Sequence, residues 1–571
     1  MPPKKATTAA AKRKPSSAIE KSKKDSKPAA KKSGRPAKAI AAKDTKVAKP
    51  AAKKRGRPSK AIAAKNTTDA KPAAKKPGRP PGKAIKKAAP KSAAKPSSKR
   101  KASDDVDDSP APKRAKKEPV APRKTAAVKK AVIPKPKKEL PHINDPPTQV
   151  LDVYVFGENS AGELGIGTGT EQEVSNVKRP RLNRKLAANE VGVVQIAAGG
   201  MHCVALTRDN KILTWGVNDQ GALGRKTEKA NANADDSDDE DLVLNASEAE
   251  PREVDLSHFP EGTKFSHVVA ADSTSFVVTT TGLVYGWGTF RGNDGILGFR
   301  SNGPKTQSTP VLIPELKDIT TLSAGTNHIL ALNNKGKVFA WGAAEQNQLA
   351  RQIKGRNVTQ SLVPSQVGLS RKKILTIGCG DYHCLAADDK GNVFGWGLNG
   401  FAQCGIESDQ DEASPTISKP TIIEGLEGKA IKQMVGGAHH SIAVTTDGKV
   451  LVWGSCQNNQ SGVDLSTLPA DTIYKEDNGR IRYISKPTVV PGVEGGVAIA
   501  AGPDTGAAIT SDGKAYTWGF NANYQTGQGP VPDVPVATLV DNTAVRGKNL
   551  VFAGLGGQFG VLGGIPAAAE E

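Results

Sequence analysis

Short apolar runs recur along most of the chain. They alternate buried-type and small residues, and each ends in a polar turn. Seven of them close on an aromatic residue followed by glycine. They read VYVFGENSAGELGIG (from 153), KILTWGVNDQGALGR (211), LVYGWGTFRGNDGILGF (283), KVFAWGAAEQNQLAR (337), NVFGWGLNGFAQCGI (392), KVLVWGSCQNNQSGV (449) and KAYTWGFNANYQTGQ (514). All six tryptophans of the chain take part. The motif glycines are 59, 72, 54, 55, 57 and 65 residues apart. A period in the fifties with several short strands per unit predicts a β-propeller.

A second half-motif precedes all but the first of these: AAGGMHCVAL (197), VAADSTSFVV (269), SAGTNHILAL (323), GCGDYHCLAA (378), VGGAHHSIAV (435) and AAGPDTGAAI (500). A last copy, FAGLGGQFGVL (552), ends the series. Small residues let strands crowd near an axis, and the alternating apolar residues suit a buried strand. The series opens with an aromatic-Gly half that lacks its partner and closes with a small-residue half that lacks its own. Joining the ends completes seven blades. The expected fold class is therefore all-β, a seven-bladed β-propeller over 148–566. Its N- and C-terminal strands pair to close the ring, so no sheet edge stays open.

Composition divides the chain. Of 571 residues, 1–140 hold 45 Lys and Arg against 10 Asp and Glu, a net of +35. The remainder holds 36 against 47, a net of −11, and all 25 aromatic residues. A segment without aromatics and with this charge cannot bury enough surface to offset its ordering entropy, so 1–147 reads as a long disordered basic tail. No run of 18 apolar residues exists, so no membrane partner is expected. The five cysteines are odd in number and scattered, which suggests buried free thiols in a reducing compartment. The 72-residue interval holds an acidic insertion at about 226–251, read as a solvated loop.

The tail is itself periodic. Gly34-Arg35-Pro36, Gly56-Arg57-Pro58 and Gly78-Arg79-Pro80 stand 22 residues apart within similar surroundings. Glycine lets the backbone approach a groove floor, and an extended arginine can enter the narrow minor groove of A·T tracts. These segments resemble AT-hooks, and A·T-rich DNA is an expected partner. Only the second has arginine on both sides of its glycine, Arg55 and Arg57. Two basic clusters, Lys99-Arg100-Lys101 and Lys113-Arg114 with Lys116-Lys117, have the spacing of a two-part import signal, which points to a nuclear import receptor and a nuclear location.

Within the body the third repeat lengthens after its Trp-Gly to Phe290, Arg291, Gly292, Asn293, Asp294, Gly295, Ile296 and Leu297. Asn-Asp-Gly is hairpin-turn chemistry. A hairpin with Phe290 and Ile296 beside its tip is expected to project as an apolar wedge for a partner. The loops before each second strand should ring the axis at one face, through Met201, Asp272, Asn327, Asp381, His439, Asp504 and Gln558. His202, His328, His383 and His440, at regular spacing, read as structural. No metal-ligand cluster, cofactor motif or Ser/His/Asp spacing stands out, which disfavours a propeller enzyme.

The paired half-motifs, seven times over roughly 150–565, resemble the regulator of chromosome condensation family. Its founding member is a chromatin-bound guanine-nucleotide exchange factor for the small GTPase Ran. GGMHCVAL, NDQGALGR and WGTFRGNDGILG carry the likeness. The resemblance implies a Ran partner and chromatin-linked exchange without covalent chemistry. It also implies roles in nucleocytoplasmic transport, spindle assembly and cell-cycle control. It carries the family's wedge onto Phe290–Leu297, the exchange-critical acidic residue onto Asp272, a second acidic position onto Asn327 and a histidine onto His439. It suggests nucleosome contact by Arg351, Lys354 and Arg356. A chromatin-bound propeller scaffold without exchange activity remains the alternative.

Overall fold

The computed structural model describes residues 140–168, 175–227, 244–407 and 415–567. The hook-like repeats, the import clusters and the acidic run 235–241 lie outside the described residues.

Seven antiparallel sheets follow one another as blades. Blade 1 is shared between the two ends of the body, in the order Asn176–Leu182, Asp152–Glu158, Phe559–Ile565, Asn549–Leu555. Asp152 pairs with Gly564 and the register runs to Gly157 opposite Phe559, so the ring closes where the sequence leaves two unmatched halves. Blades 2 to 7 then occupy 193–253, 265–312, 319–366, 374–422, 431–489 and 496–539. Blade 6 has five strands and the others four. The body's packing begins before residue 148. Ile143 and Asn144 donate backbone N–H bonds to Thr280, and the buried Asn144 side chain donates to Thr279 and Ile319.

Each blade is built by the same local rules. The small-residue strand of one blade packs against that of the next and lies innermost. The His-bearing strand follows, then the Trp-Gly strand. The glycine of all seven aromatic-Gly pairs has φ between +97 and +112°, and at five of them the strand register is irregular. A Cβ on Gly288 would come within 2.2 Å of the Ser273 carbonyl oxygen. Only glycine fits that conformation and that approach, which explains why every tryptophan is followed by one.

The tryptophans join blades as well as fill them. Trp215, Trp287, Trp396, Trp453 and Trp518 each donate Nε1–H to a turn carbonyl of the preceding blade, at 2.7–3.0 Å. All are fully buried. Each removes roughly 200 Å² from water, about 5 kcal/mol as an upper figure, while its one polar atom is satisfied.

Part of the 226–251 insertion is ordered. Ala246–Ala249 forms a helical turn capped by the Asn245 side chain, with Ser247 and Ala249 buried. Arg225 donates Nη1–H to the Ser247 carbonyl at 2.8 Å. The solvated-loop reading therefore fails at the C-terminal end of the insertion, because these residues cover blade 2.

Candidate partner-binding face

The loops that precede the His-bearing strands meet around the axis. Gly557 donates its N–H to Gly200, Gly200 to Ala271, Asp272 to Thr326, Thr326 to Asp381, Asp381 to Gly437 and Ala438 to Pro503, all at 2.9–3.3 Å. One backbone bond thus links each blade to the next, from blade 1 round to blade 7. The ring of variable residues foreseen in the sequence sits on this belt. Met201 is 45% exposed; Asp272, Asn327, Asp381, His439 and Asp504 are half-buried.

Asp272 is seated by two small neighbours. Ser273 Oγ donates to its carboxylate at 3.1 Å. On the other side Gly200 has no side chain, where a Cβ would lie 2.3 Å from Asp272 Oδ1. Asp381 is pushed up to about 6 by burial, helped by Asp272 and Asp504 and opposed by a bond from Thr326. The mouth of the axis is therefore rich in carboxylates, and one of them takes up a proton near neutral pH. His439 is held below its usual range by burial, against the pull of Asp504. Its ring packs on Phe401, with centroids 4.8 Å apart and the planes tilted by 39°, and accepts from Gln403 Nε2 at 3.4 Å.

The hairpin forms where the sequence places it. Phe290–Gly292 pairs with Gly295–Gly298, and Arg291 lies opposite Ile296. Gly295, directly after the Asn293-Asp294 turn, has φ +104°, a conformation that favours glycine, and the register slips between Phe290 and Arg291. Thr289 donates its N–H to Ser273, which brings the hairpin base beside Asp272.

Two side chains of blade 4 clasp the hairpin. Asn327 Oδ1 accepts from the Arg291 N–H at 2.8 Å. Glu345 Oε1 accepts from the Asn293 N–H at 3.2 Å, while its Oε2 accepts from Ala344. Glu345 gives no sequence signal of its own; its partner lies 52 residues away. Asn327 keeps hydrogen bonding at a position where charge was expected, and its acceptor is committed to the hairpin.

Phe290 is not part of the projecting tip. It is fully buried, lies 6.0 Å from Phe299 with the rings 9° apart, and packs 6.2 Å from Phe276. Trp341, at the same junction, meets Phe276 edge-on at 5.8 Å. The other junctions offer the incoming tryptophan a turn carbonyl. This one offers an aromatic stack, because the hairpin takes the place of the turn. Ile296, 41% exposed, is the apolar residue the tip presents, with Asn293 and Asp294 exposed beside it and Leu297 half-buried.

The basic loop, which lies within blade 4 before its last strand, also divides. Arg351 Nη2 donates to the carbonyls of Ser361 and Val363 at 3.1 and 2.8 Å, and burial lowers its guanidinium's affinity for protons. Arg351 is half-buried and its Nη2 is engaged in folding the loop. Lys354 and Arg356 are exposed.

His202, His328, His383 and His440 are fully buried. His202 hydrogen-bonds to Ser275, His328 to Cys384 and His383 to Ser441, each in the following blade. Three of the four thus bond across a blade junction, and His440 is buried with neither ring nitrogen hydrogen-bonded among the described residues.

A profile described as an RCC1-like domain matches residues 152–562. The guanine nucleotide exchange factor SRM1 of Saccharomyces cerevisiae is 38% identical over 74% of this chain and 89% of its own. Among solved structures, Prp20p of Saccharomyces cerevisiae is 36% identical, with a TM-score of 0.68, over 75% of this chain and 94% of that one. That structure is described together with binding to Gsp1p and histones. Yeast RCC1 bound to Kap60 aligns over 78% of this chain and 98% of that one, at 35% identity and a TM-score of 0.68.

Proposed function

The chain belongs to the RCC1-like family, and on that footing we propose that it is a guanine-nucleotide exchange factor for the small GTPase Ran, acting from chromatin in the nucleus. The observation that carries the reading is the hairpin clasped by Asn327 and Glu345 beside Asp272, on one rim of the propeller.

A GTPase holds its nucleotide through backbone amides, a lysine and a magnesium ion around the phosphates. A protein that binds the nucleotide-free state best weakens that grip. The hairpin tip, with Arg291, Asn293, Asp294, Gly295, Ile296 and Leu297, is the part that presses on the phosphate-binding segment. The Asp272 carboxylate offers the freed cationic groups a charged partner. His439 and Asp504 extend the same polar rim. No bond is made or broken in this chain, and the excess of GTP over GDP sets the product.

Histone binding by Prp20p supports a chromatin partner. In this chain Lys354 and Arg356 supply exposed cations for it. The hook-like repeats around Arg35, Arg57 and Arg79 add A·T-rich DNA as a second anchor. Three copies on one chain raise one another's effective concentration. The Kap60 complex supports an import receptor, which would read the clusters at Lys99–Lys101 and Lys113–Lys117. Nucleocytoplasmic transport and cell-cycle control follow from production of GTP-bound Ran at chromosomes.

Release of a fluorescent guanine nucleotide from Ran, with and without the full chain, tests the activity. Strong acceleration is expected; an unchanged rate leaves only the scaffold reading. Deleting 30–85 should weaken binding to A·T-rich duplexes and leave exchange in solution intact. Equal binding of the intact chain to A·T-rich and G·C-rich duplexes would sink the hook assignment.

A further inference from the structure

At the junction of blades 4 and 5 the repeat's usual contact is altered twice. In two blades the histidine meets a serine in the next: His202 with Ser275 at 2.8 Å, His383 with Ser441 at 2.7 Å. Across the sheet from those serines stand Ala270 and Gly436. In blade 5 both positions are cysteines. Cys384 takes the serine's place, and Cys379 is its direct cross-strand partner. His328 Nε2 lies 3.0 Å from Cys384 Sγ. The donor atoms of His328, Cys379 and Cys384 all lie within 4.8 Å of one another, and all three residues are buried.

We propose that His328, Cys379 and Cys384 form a structural metal site that takes Zn²⁺, tying blade 4 to blade 5. Two thiolates and one neutral imidazole are soft donors of the kind zinc selects. Charge supports the choice among thiophilic ions. A divalent cation with two thiolates is net neutral, which is the form a buried site tolerates. Zn–N of about 2.0–2.1 Å and Zn–S of about 2.3 Å place nitrogen and sulfur roughly 3.5 Å apart in a tetrahedron. His328 and Cys384 need to separate by only about half an ångström to reach that spacing.

Backbone oxygens stand close by. Ser323 O is 3.4 Å from Cys379 Sγ, and Gln348 O is 3.3 Å from Cys384 Sγ. Thiolate is the ligand form of cysteine, so metal binding releases the thiol protons.

Placement gives the site a consequence. His328 directly follows Asn327, whose side chain holds the hairpin. A metal at His328 fixes the loop that carries the clasp. The five cysteines and eight histidines of the chain offer no second group of this kind among the described residues.

The test uses the full chain, produced with added zinc and purified without chelator, with metal content measured by mass spectrometry. One zinc per chain is expected, and production with cadmium should yield a thiolate-to-cadmium charge-transfer band. Cys379→Ser and Cys384→Ser should each reduce bound metal at least about tenfold. The melting temperature of the wild type should fall on stripping with a chelator, by mass action, and that of a folded variant should not. The wild type alone decides if a variant fails to fold. Retention of neither zinc nor cadmium by the wild type overturns the site. So does zinc that stays in place in a folded Cys379→Ser chain, because the metal then lies elsewhere.

Discussion

Asn327 and Arg291 join two blades through one bond: the Asn327 Oδ1 accepts from the Arg291 N–H at 2.8 Å. Asn327 therefore acts on the hairpin's orientation, and Glu345 supports it two residues further along, at the turn.

Removing this clasp should loosen the tip without unfolding the propeller. Asn327→Ala and Glu345→Ala are each expected to slow Ran nucleotide release at saturating chain by about tenfold, the scale of a lost hydrogen bond that orients a working group. Asn327→Asp keeps an acceptor and restores the charge of the family pattern, so it should retain exchange. Stopped-flow nucleotide release reads all three. If Asn327→Ala and Asn327→Asp slow the reaction equally, the acceptor is not what matters.

The two apolar residues of the hairpin should part company. Ile296→Asp, at an exposed tip, is expected to cut exchange and leave the melting temperature within a degree or two. Phe290→Ala leaves a hole in a stack of three rings and should cost about 3–5 kcal/mol of stability, seen as a lower denaturant midpoint. A Phe290→Ala chain as stable as the wild type would contradict the buried stack.

Acid should unfold the propeller through its histidines. Burial brings His202 down to about 4 and His440 to about 3, and sends His383 well below its usual value. The unfolded chain binds more protons at these sites, so their stability contribution is lost as pH falls below about 6.5. Asp381 runs the other way. Its raised affinity contributes stability at low pH that is lost as pH rises through about 6. His202, His383 and His440 against Asp381 alone give a net loss of up to about 3 kcal/mol per pH unit on going from pH 6 to pH 4. His267 and His439, also lowered by burial, add to it in the same direction. Denaturant midpoints across that range check this; a flat profile would show that the histidines charge without cost.

The ring, its closure and the hairpin were legible in the sequence because each has a repeating or chemically marked signal. The unmatched halves at the two ends could only pair with each other. What stayed hidden depends on contacts between repeats. Phe290 reads as an exposed wedge residue until the neighbouring blade's Trp341 is seen to lack a turn carbonyl and to pack on the Phe276 stack instead. Arg351 reads as a free cation until its loop folds back on it. Glu345 has no motif, and its role exists only across two blades. Cys379 and Cys384 looked scattered because nothing in their spacing shows that His328 lies against them.

The claim that ties fold to function is that Asp272, seated between Ser273 and Gly200 at the hairpin's base, drives nucleotide release. The direct measurement is the rate of fluorescent nucleotide loss from Ran at saturating full chain, wild type against Asp272→Ala. The rate should drop by about two orders of magnitude, the scale seen when one transition-state partner is removed, with the melting temperature and Ran binding retained. An unchanged rate in a folded Asp272→Ala chain would remove this rim from the mechanism.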